Sequence, residues 1–168
     1  MCQFLYTLLV SSGPKEAFEW GDVEDSEVAL AQDITTAFRE IEVLASGSQL
    51  MRRHPVVPNR SVPGQHVTHT PSFSQQNGHL YVFEYIDLST TKINKAKERA
   101  GWMAYMFDDI KGVNPTAETF SLVRPEKDSG VEQIDYAKTI LRGGSKIVNW
   151  SDDNERGQFL QEREQIAA

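Results

Sequence analysis

LYVFEYIDL, residues 80–88, is the most strand-like stretch of the chain. It is rich in aromatic and branched apolar residues, which favour strands over helices. Its first residues are apolar at consecutive positions, and alternation with polar residues begins only at Glu84. A run of this kind is typical of a strand that is covered on both faces in the middle of a sheet. We therefore predict a central strand at residues 80–88.

A long helix is predicted directly after this strand. Ser89, Thr90 and Thr91 open it, and Gly112 followed by Pro115 ends it. Its apolar residues recur at steps of three and four: Ile93, Ala96, Ala100, Met103, Phe107 and Ile110. Residues at this spacing share one face of a helix, so we expect that face to cover the sheet.

Strands and helices alternate along the rest of the chain. The patterns predict strands at Phe4–Val10, Thr119–Val123 and Lys146–Trp150, and helices from Asp25 or Ser26 to about Gly47, at Val131–Leu141 and at Asn154–Ile166. Such alternation predicts an α/β fold, with residues 1–168 as a single domain and a mixed or mostly parallel sheet of about four strands covered by helices. An α+β fold with some antiparallel pairing is the alternative.

Residues 46–79 lack a helical or strand-like pattern. Pro55, Pro58, Pro63 and Pro71 interrupt the segment. We predict a long loop rich in proline, histidine and arginine, with a short strand near Val56 or Val67 as the alternative. Loops of this length are usually functional or disordered.

Charge is distributed unevenly between this segment and the rest of the chain. The formal net charge is −7, yet residues 43–83 contain no Asp or Glu. Three arginines and all four histidines lie there. This asymmetry predicts contact with a protein partner or an anionic surface, and the candidate residues are Arg52, Arg53, Arg60, His66 and His69. A loop without a dedicated role remains the alternative.

The histidines also suggest zinc. His66 and His69 have His-x-x-His spacing, and His54 and His79 could complete a ligand set. Zinc sites usually recruit cysteine or carboxylate ligands too, and the segment has neither. We therefore predict no metal site and no cofactor.

An anion site is predicted where the central strand leads into the long helix. The free N–H groups and the dipole of a helix N-terminus attract anions. Basic residues spaced three and four apart share one face near that terminus. The candidate ligands for a phosphate group or a nucleic-acid strand are Ser89, Thr90, Thr91, Lys92, Lys95 and Arg99. A basic face that is solvated or ion-paired with acidic residues of the chain is the alternative.

A metal-dependent nuclease or phosphoesterase is the enzymatic alternative. Nucleases of the restriction-enzyme kind place acidic residues and a lysine along a pair of strands, where Mg²⁺ activates water. Glu84, Asp87 and Lys92 could form such a site. However, the Glu-x-Lys pattern expected on the strand is missing, because Ile86 stands where the lysine would be.

Composition limits the function classes. With 168 residues, 39% of them hydrophobic, the chain can form one folded domain. The negative charge disfavours non-specific binding to DNA or anionic membranes. The single cysteine, Cys2, precludes an intramolecular disulfide and indicates a reducing compartment. The apolar run at Phe4–Val10 is too short to span a membrane. We therefore expect a cytoplasmic, non-enzymatic accessory or binding subunit of an intracellular complex, with a contact site for phosphate or nucleic acid. A Mg²⁺-dependent nuclease or phosphoesterase centred on Glu84, Asp87 and Lys92 is the alternative.

Overall fold

The computed structural model describes residues 25–45, 52–89, 93–125 and 138–168. The predicted strand at Phe4–Val10 and most of the predicted helix at Val131–Leu141 lie outside these ranges. The described part begins with helix α1 and ends with helix α4. Its elements are α1 (Asp25–Glu40), β1 (Val56–Pro58), β2 (Val62–Pro63), β3 (Thr68–His69), β4 (Phe73–Gln76), β5 (Leu80–Asp87), α2 (Ile93–Val113), β6 (Glu118–Arg124), α3 (138–142), β7 (Lys146–Asn149) and α4 (Asp153–Ala167).

In the part of the chain that the structure describes, the main sheet has five strands in the order β1-β4-β5-β6-β7, and the predicted central strand is the middle one of these. β1, β4 and β5 pair antiparallel, whereas β5, β6 and β7 pair parallel. β2 and β3 form a separate antiparallel hairpin. The mixed sheet with helices packed on it confirms the predicted single-domain α/β fold. Five strands of this sheet lie within the described ranges, where the sequence predicted about four over the whole chain.

Residues 52–79 are not one uninterrupted loop, because β1 to β4 lie within them. These strands are only two to four residues long, which is too short for a periodic pattern to stand out. Asn59, in the connection between β1 and β2, takes a left-handed backbone conformation with φ of 50°. Val56 does lie in a short strand, as the alternative interpretation of this segment expected.

Alternate residues of β5 face two different helical layers. Val82 and Ile86 belong to a buried cluster with Met103 and Phe107 of α2. Tyr81, Phe83 and Tyr85 face the opposite way, toward the cluster that contains α1 and Phe159 of α4. The sheet therefore has a core on each side, and residues of even number on β5 lie on the α2 side.

The helix predicted from Asp25 is α1, and its stripe Leu30, Ile34 and Phe38 is completely buried. It ends at Glu40 and not near Gly47. Glu42 has a left-handed φ of 56°, and the N–H groups of Glu42 and Val43 bond to carbonyls of the last helical turn. This turn ends the helix before the sequence pattern does.

Candidate functional site

Glu84 lies where β5 loses its neighbour β4. The backbone pairing of the two strands ends at Phe73 and Phe83. Beyond it, the Ser72 N–H and hydroxyl donate to the Glu84 carboxylate at 2.7 and 2.9 Å. The Arg99 guanidinium of α2 donates to the same carboxylate at 2.9 Å. Glu84 is only 1% exposed, so it is a buried carboxylate whose two oxygens are both engaged.

The charge of Arg99 affects the pKa of Glu84. Burial raises the pKa of Glu84 above its ordinary value, although the Arg99 charge and the Ser72 hydrogen bonds act in the opposite direction. The Arg99 guanidinium lies 5.0 Å from the Trp102 ring centroid and 5.9 Å from that of Tyr85. It is also 4.0 Å from Glu27 of α1. Arg99 is thus fixed as the internal counter-ion of Glu84.

The carboxylates of the nuclease hypothesis do not converge. Glu84 lies on the α2 side of the sheet, and strand alternation places Asp87 on the other. Asp87 accepts hydrogen bonds from the Ser89 N–H and hydroxyl and pairs with Arg124, which also reaches Asp33 of α1. Lys92 lies outside the described residues. Within the described ranges, no three His, Cys, Asp or Glu side chains are placed to hold a metal ion.

Only part of the predicted anion site can be located. Thr90, Thr91 and Lys92 lie outside the described residues. Ser89 donates to Asp87, and Arg99 is paired with Glu84, whereas Lys95 is exposed on α2. Anion binding at this end of α2 stays a prediction.

The three candidate arginines of residues 46–79, which were predicted to contact a partner, lie at or near the surface. Arg52 pairs with Glu164 of α4 at 3.6 Å, while Arg53 and Arg60 are exposed. A role for these arginines in partner binding stays a prediction.

His66 and His69 converge on Asp109 of α2, a residue that was not among the predicted site residues. The His66 Nδ1 lies 2.6 Å from Asp109 Oδ1, and the His69 Nε2 lies 2.8 Å from Asp109 Oδ2. The backbone N–H groups of His66 and Val67 donate to the same carboxylate at 3.0 and 3.3 Å. We call these four contacts the Asp109 clamp. They join the β2–β3 hairpin to α2.

The clamp is tightly built. Although burial by itself would raise the pKa of Asp109, the hydrogen bonds from His66, His69 and Val67 hold it well below its usual value. The Gln65 N–H donates to the Asp109 carbonyl at 2.9 Å. A Cβ at Gly64 would lie 2.0 Å from Asp109 Oδ2 and 2.7 Å from the Val67 carbonyl oxygen. Only glycine fits at Gly64 without displacing the hairpin.

Exposed apolar side chains surround the clamp. Tyr105 and Val113 lie one helical turn before and one after Asp109 and are 46% and 54% exposed. Val67, whose N–H bonds Asp109, is 49% exposed. The His66 side chain is 65% exposed, while the buried His69 ring meets that of Tyr105 at 5.9 Å between centroids. We call His66, Val67, Tyr105 and Val113 the clamp surface.

The clamp surface was only partly visible in the sequence. The charge asymmetry selected His66 and His69, but the partner Asp109 is separated from them by 40 or more residues. In the sequence, Asp109 is one of two consecutive acidic residues near the end of a predicted helix and has no distinguishing feature. No local pattern connects it with the two histidines, so the clamp is a product of the tertiary fold.

Comparison with known proteins places the chain in no family. No family model matches it, and no curated protein matches it. A crystal structure described as that of "Protein of Unknown Function AF1548" is similar to it, with a TM-score of 0.46 and 15% sequence identity. That similarity covers 81% of this chain and 65% of the other. Among the described residues, no helix has the length and apolar character needed to cross a membrane.

Proposed function

We propose that the chain is a non-enzymatic binding module, an accessory subunit whose protein partner docks on the clamp surface. The proposal rests on the exposed apolar residues that adjoin the Asp109 clamp, because the clamp holds the β2–β3 hairpin in a fixed position on α2. Three of the four large hydrophobic side chains that are exposed in the described part of the chain adjoin the clamp: Val67, Tyr105 and Val113.

The clamp supports binding because it fixes the hairpin before a partner arrives. A short hairpin of two-residue strands has little stability of its own. Four hydrogen bonds to one buried carboxylate hold it in a single position. Ordering a loop on association costs free energy, and a loop that is already ordered avoids that cost.

Charge indicates the character of the partner. Residues 59–70, which contain the hairpin, carry the exposed Arg60 and no acidic residue. A partner surface with an apolar centre and an acidic rim would complement them. A cytoplasmic location accords with this role, as does the single cysteine of the chain.

The enzymatic alternative is less well supported. A nuclease needs carboxylate oxygens directed at a shared metal ion. Glu84 instead has both oxygens engaged by Ser72 and Arg99, and Asp87 lies on the opposite face of the sheet. Glu84 is therefore best explained as a structural ion pair of the core.

The proposal is tested by partner capture with matched variants. Tagged wild-type protein and a Val67→Ser/Tyr105→Ser variant are incubated with lysate of the source cells, and the bound proteins are quantified by mass spectrometry. Hot-spot residues of an interface contribute about 2 kcal/mol or more, and tyrosine is enriched among them. We therefore expect the bound partner to decrease at least about tenfold.

Val28→Ser is the control, because Val28 is similarly exposed at 41% but lies on α1. It should retain the partner at the wild-type level. Equal capture by all three proteins would show that the clamp surface does not bind the partner. The absence of any partner whose capture depends on Val67 and Tyr105 would contradict the proposal in the same way. Urea unfolding of each variant shows whether a lost partner reflects a lost fold.

A further inference from the structure

A groove of about 540 Å³ runs along α1, on the side of the sheet away from α2. It is formed by one face of the helix and one residue of β5. The lining residues are Val28, Ala31, Gln32, Thr35, Thr36, Arg39 and Tyr85. Its volume is in the range of sites that hold small organic ligands.

The groove extends along most of α1. Val28 lies near the first turn of the helix and Arg39 in the last, so about 16 Å separates the two ends at 1.5 Å per residue. Tyr85 belongs to the part of β5 that has passed the end of β4 pairing. The groove therefore lies beside the point where the described sheet loses a strand, and Tyr85 supplies its inner wall.

The charge of the lining is opposite to that of the chain. Although the chain has a net charge of −7, the lining includes no carboxylate and one cation, Arg39. Two carboxylates of α1 are engaged elsewhere, because Asp33 contacts Arg124 and Trp150 and Glu27 contacts Arg99. Glu40, the residue after Arg39, is exposed and does not line the groove. Arg39 is exposed and forms no ion pair with a carboxylate of the described residues. The groove thus favours an anionic group at its Arg39 end.

Hydrogen-bonding groups lie between the charged end and the apolar end. Gln32 and Thr36 are exposed on the helix, and the Tyr85 ring is half-buried. Burial raises the pKa of Tyr85, so its phenol remains protonated and can donate a hydrogen bond. The Thr35 hydroxyl donates its hydrogen bond to the Ala31 carbonyl at 2.7 Å. A ligand beside Thr35 would therefore contact the methyl group of this residue.

We propose that this groove binds a small organic phosphate of about mononucleotide size. Arg39 holds the phosphate, Gln32 and Thr36 bond the polar middle of the ligand, and Tyr85 with Val28 contacts its flat apolar body. This site is separate from the clamp surface, which lies on α2 and the β2–β3 hairpin. Its occupancy therefore does not depend on the proposed partner.

The test is calorimetric titration at low salt with three probes: adenosine 5′-monophosphate, adenosine and inorganic phosphate. We expect the monophosphate to bind the wild-type protein with a Kd below about 1 mM, and each of the two fragments to bind at least tenfold more weakly. Binding should weaken as salt rises, because Arg39 is exposed.

Three variants assign the binding to the groove. Arg39→Gln should weaken binding of the monophosphate at least tenfold, while Arg142→Gln, a change at an exposed arginine outside the groove, should leave it unchanged. Ala31→Trp should abolish binding by filling the groove, and its unfolding curve shows whether the fold is retained. No binding by the wild type, binding of adenosine equal to that of the monophosphate, or an Arg39→Gln variant that binds like the wild type would overturn the proposal.

Discussion

Replacing Arg99 by methionine is expected to lower the free energy of unfolding by about 3–5 kcal/mol at neutral pH. The Glu84 carboxylate is buried and would lose the cation that lies 2.9 Å from it. Methionine keeps much of the packing against Trp102, so the loss reports the uncompensated charge. Urea unfolding of the two proteins at pH 7.5 measures the difference.

The effect of Arg99→Met should depend on pH in a defined direction. The pKa of Glu84 is raised in the folded protein, so the folded state holds this proton more firmly than the unfolded chain. Stability therefore falls as pH rises from the ordinary value of 4.5 toward the folded pKa. Without Arg99 the folded pKa rises further. The difference between variant and wild type should therefore be largest above this window and shrink on acidification.

A double variant separates charge from packing. Glu84→Gln/Arg99→Met removes both charges and keeps an oxygen that can accept from the Ser72 N–H. It should be more stable at neutral pH than Arg99→Met by itself. A loss that is independent of pH, or a double variant no more stable than the single one, would contradict the assignment of Glu84 and Arg99 as a buried ion pair.

Phe107→Ala should cost about 3–5 kcal/mol of unfolding free energy. Phe107 is completely buried between α2 and the sheet, in the cluster with Val82 and Met103. Alanine removes a ring from a close-packed layer and leaves a cavity. The urea midpoint of the variant checks this value.

Tyr105→Ala on the same helix is the control for Phe107→Ala. Tyr105 is 46% exposed, so its truncation should cost less than about 1 kcal/mol. Similar costs for the two substitutions would show that α2 does not present the Phe107 stripe to the sheet.

The elements with long periodic patterns were predicted correctly from the sequence. The run at residues 80–88 became β5, the middle strand of the sheet. The predicted stripe of α2 is buried from Ala96 to Ile110, because residues at steps of three and four lie on one face of the helix. These predictions succeeded because local spacing determines which face of an element is apolar.

Features that depend on tertiary neighbours could not be predicted in this way. Arg163 lies in the charged terminal helix, yet it is 2% exposed, with its guanidinium 4.7–5.5 Å from the ring centroids of four aromatic side chains. Glu84 resembled a catalytic carboxylate because the sequence does not show that Arg99 reaches it. In the same way, Asp109 gave no sign of meeting His66 and His69.

An assay of metal-dependent nucleic-acid cleavage tests whether this domain acts by binding, as we propose, or by catalysis. Labelled duplex DNA and single-stranded RNA are incubated with the wild-type protein and with Glu84→Gln, each with Mg²⁺ and with Mn²⁺. Because Ser72 and Arg99 engage the Glu84 oxygens, we predict no cleavage above the protein-free blank for either protein. Metal-dependent cleavage by the wild type that Glu84→Gln removes would contradict the proposed binding role and make Glu84 a catalytic residue.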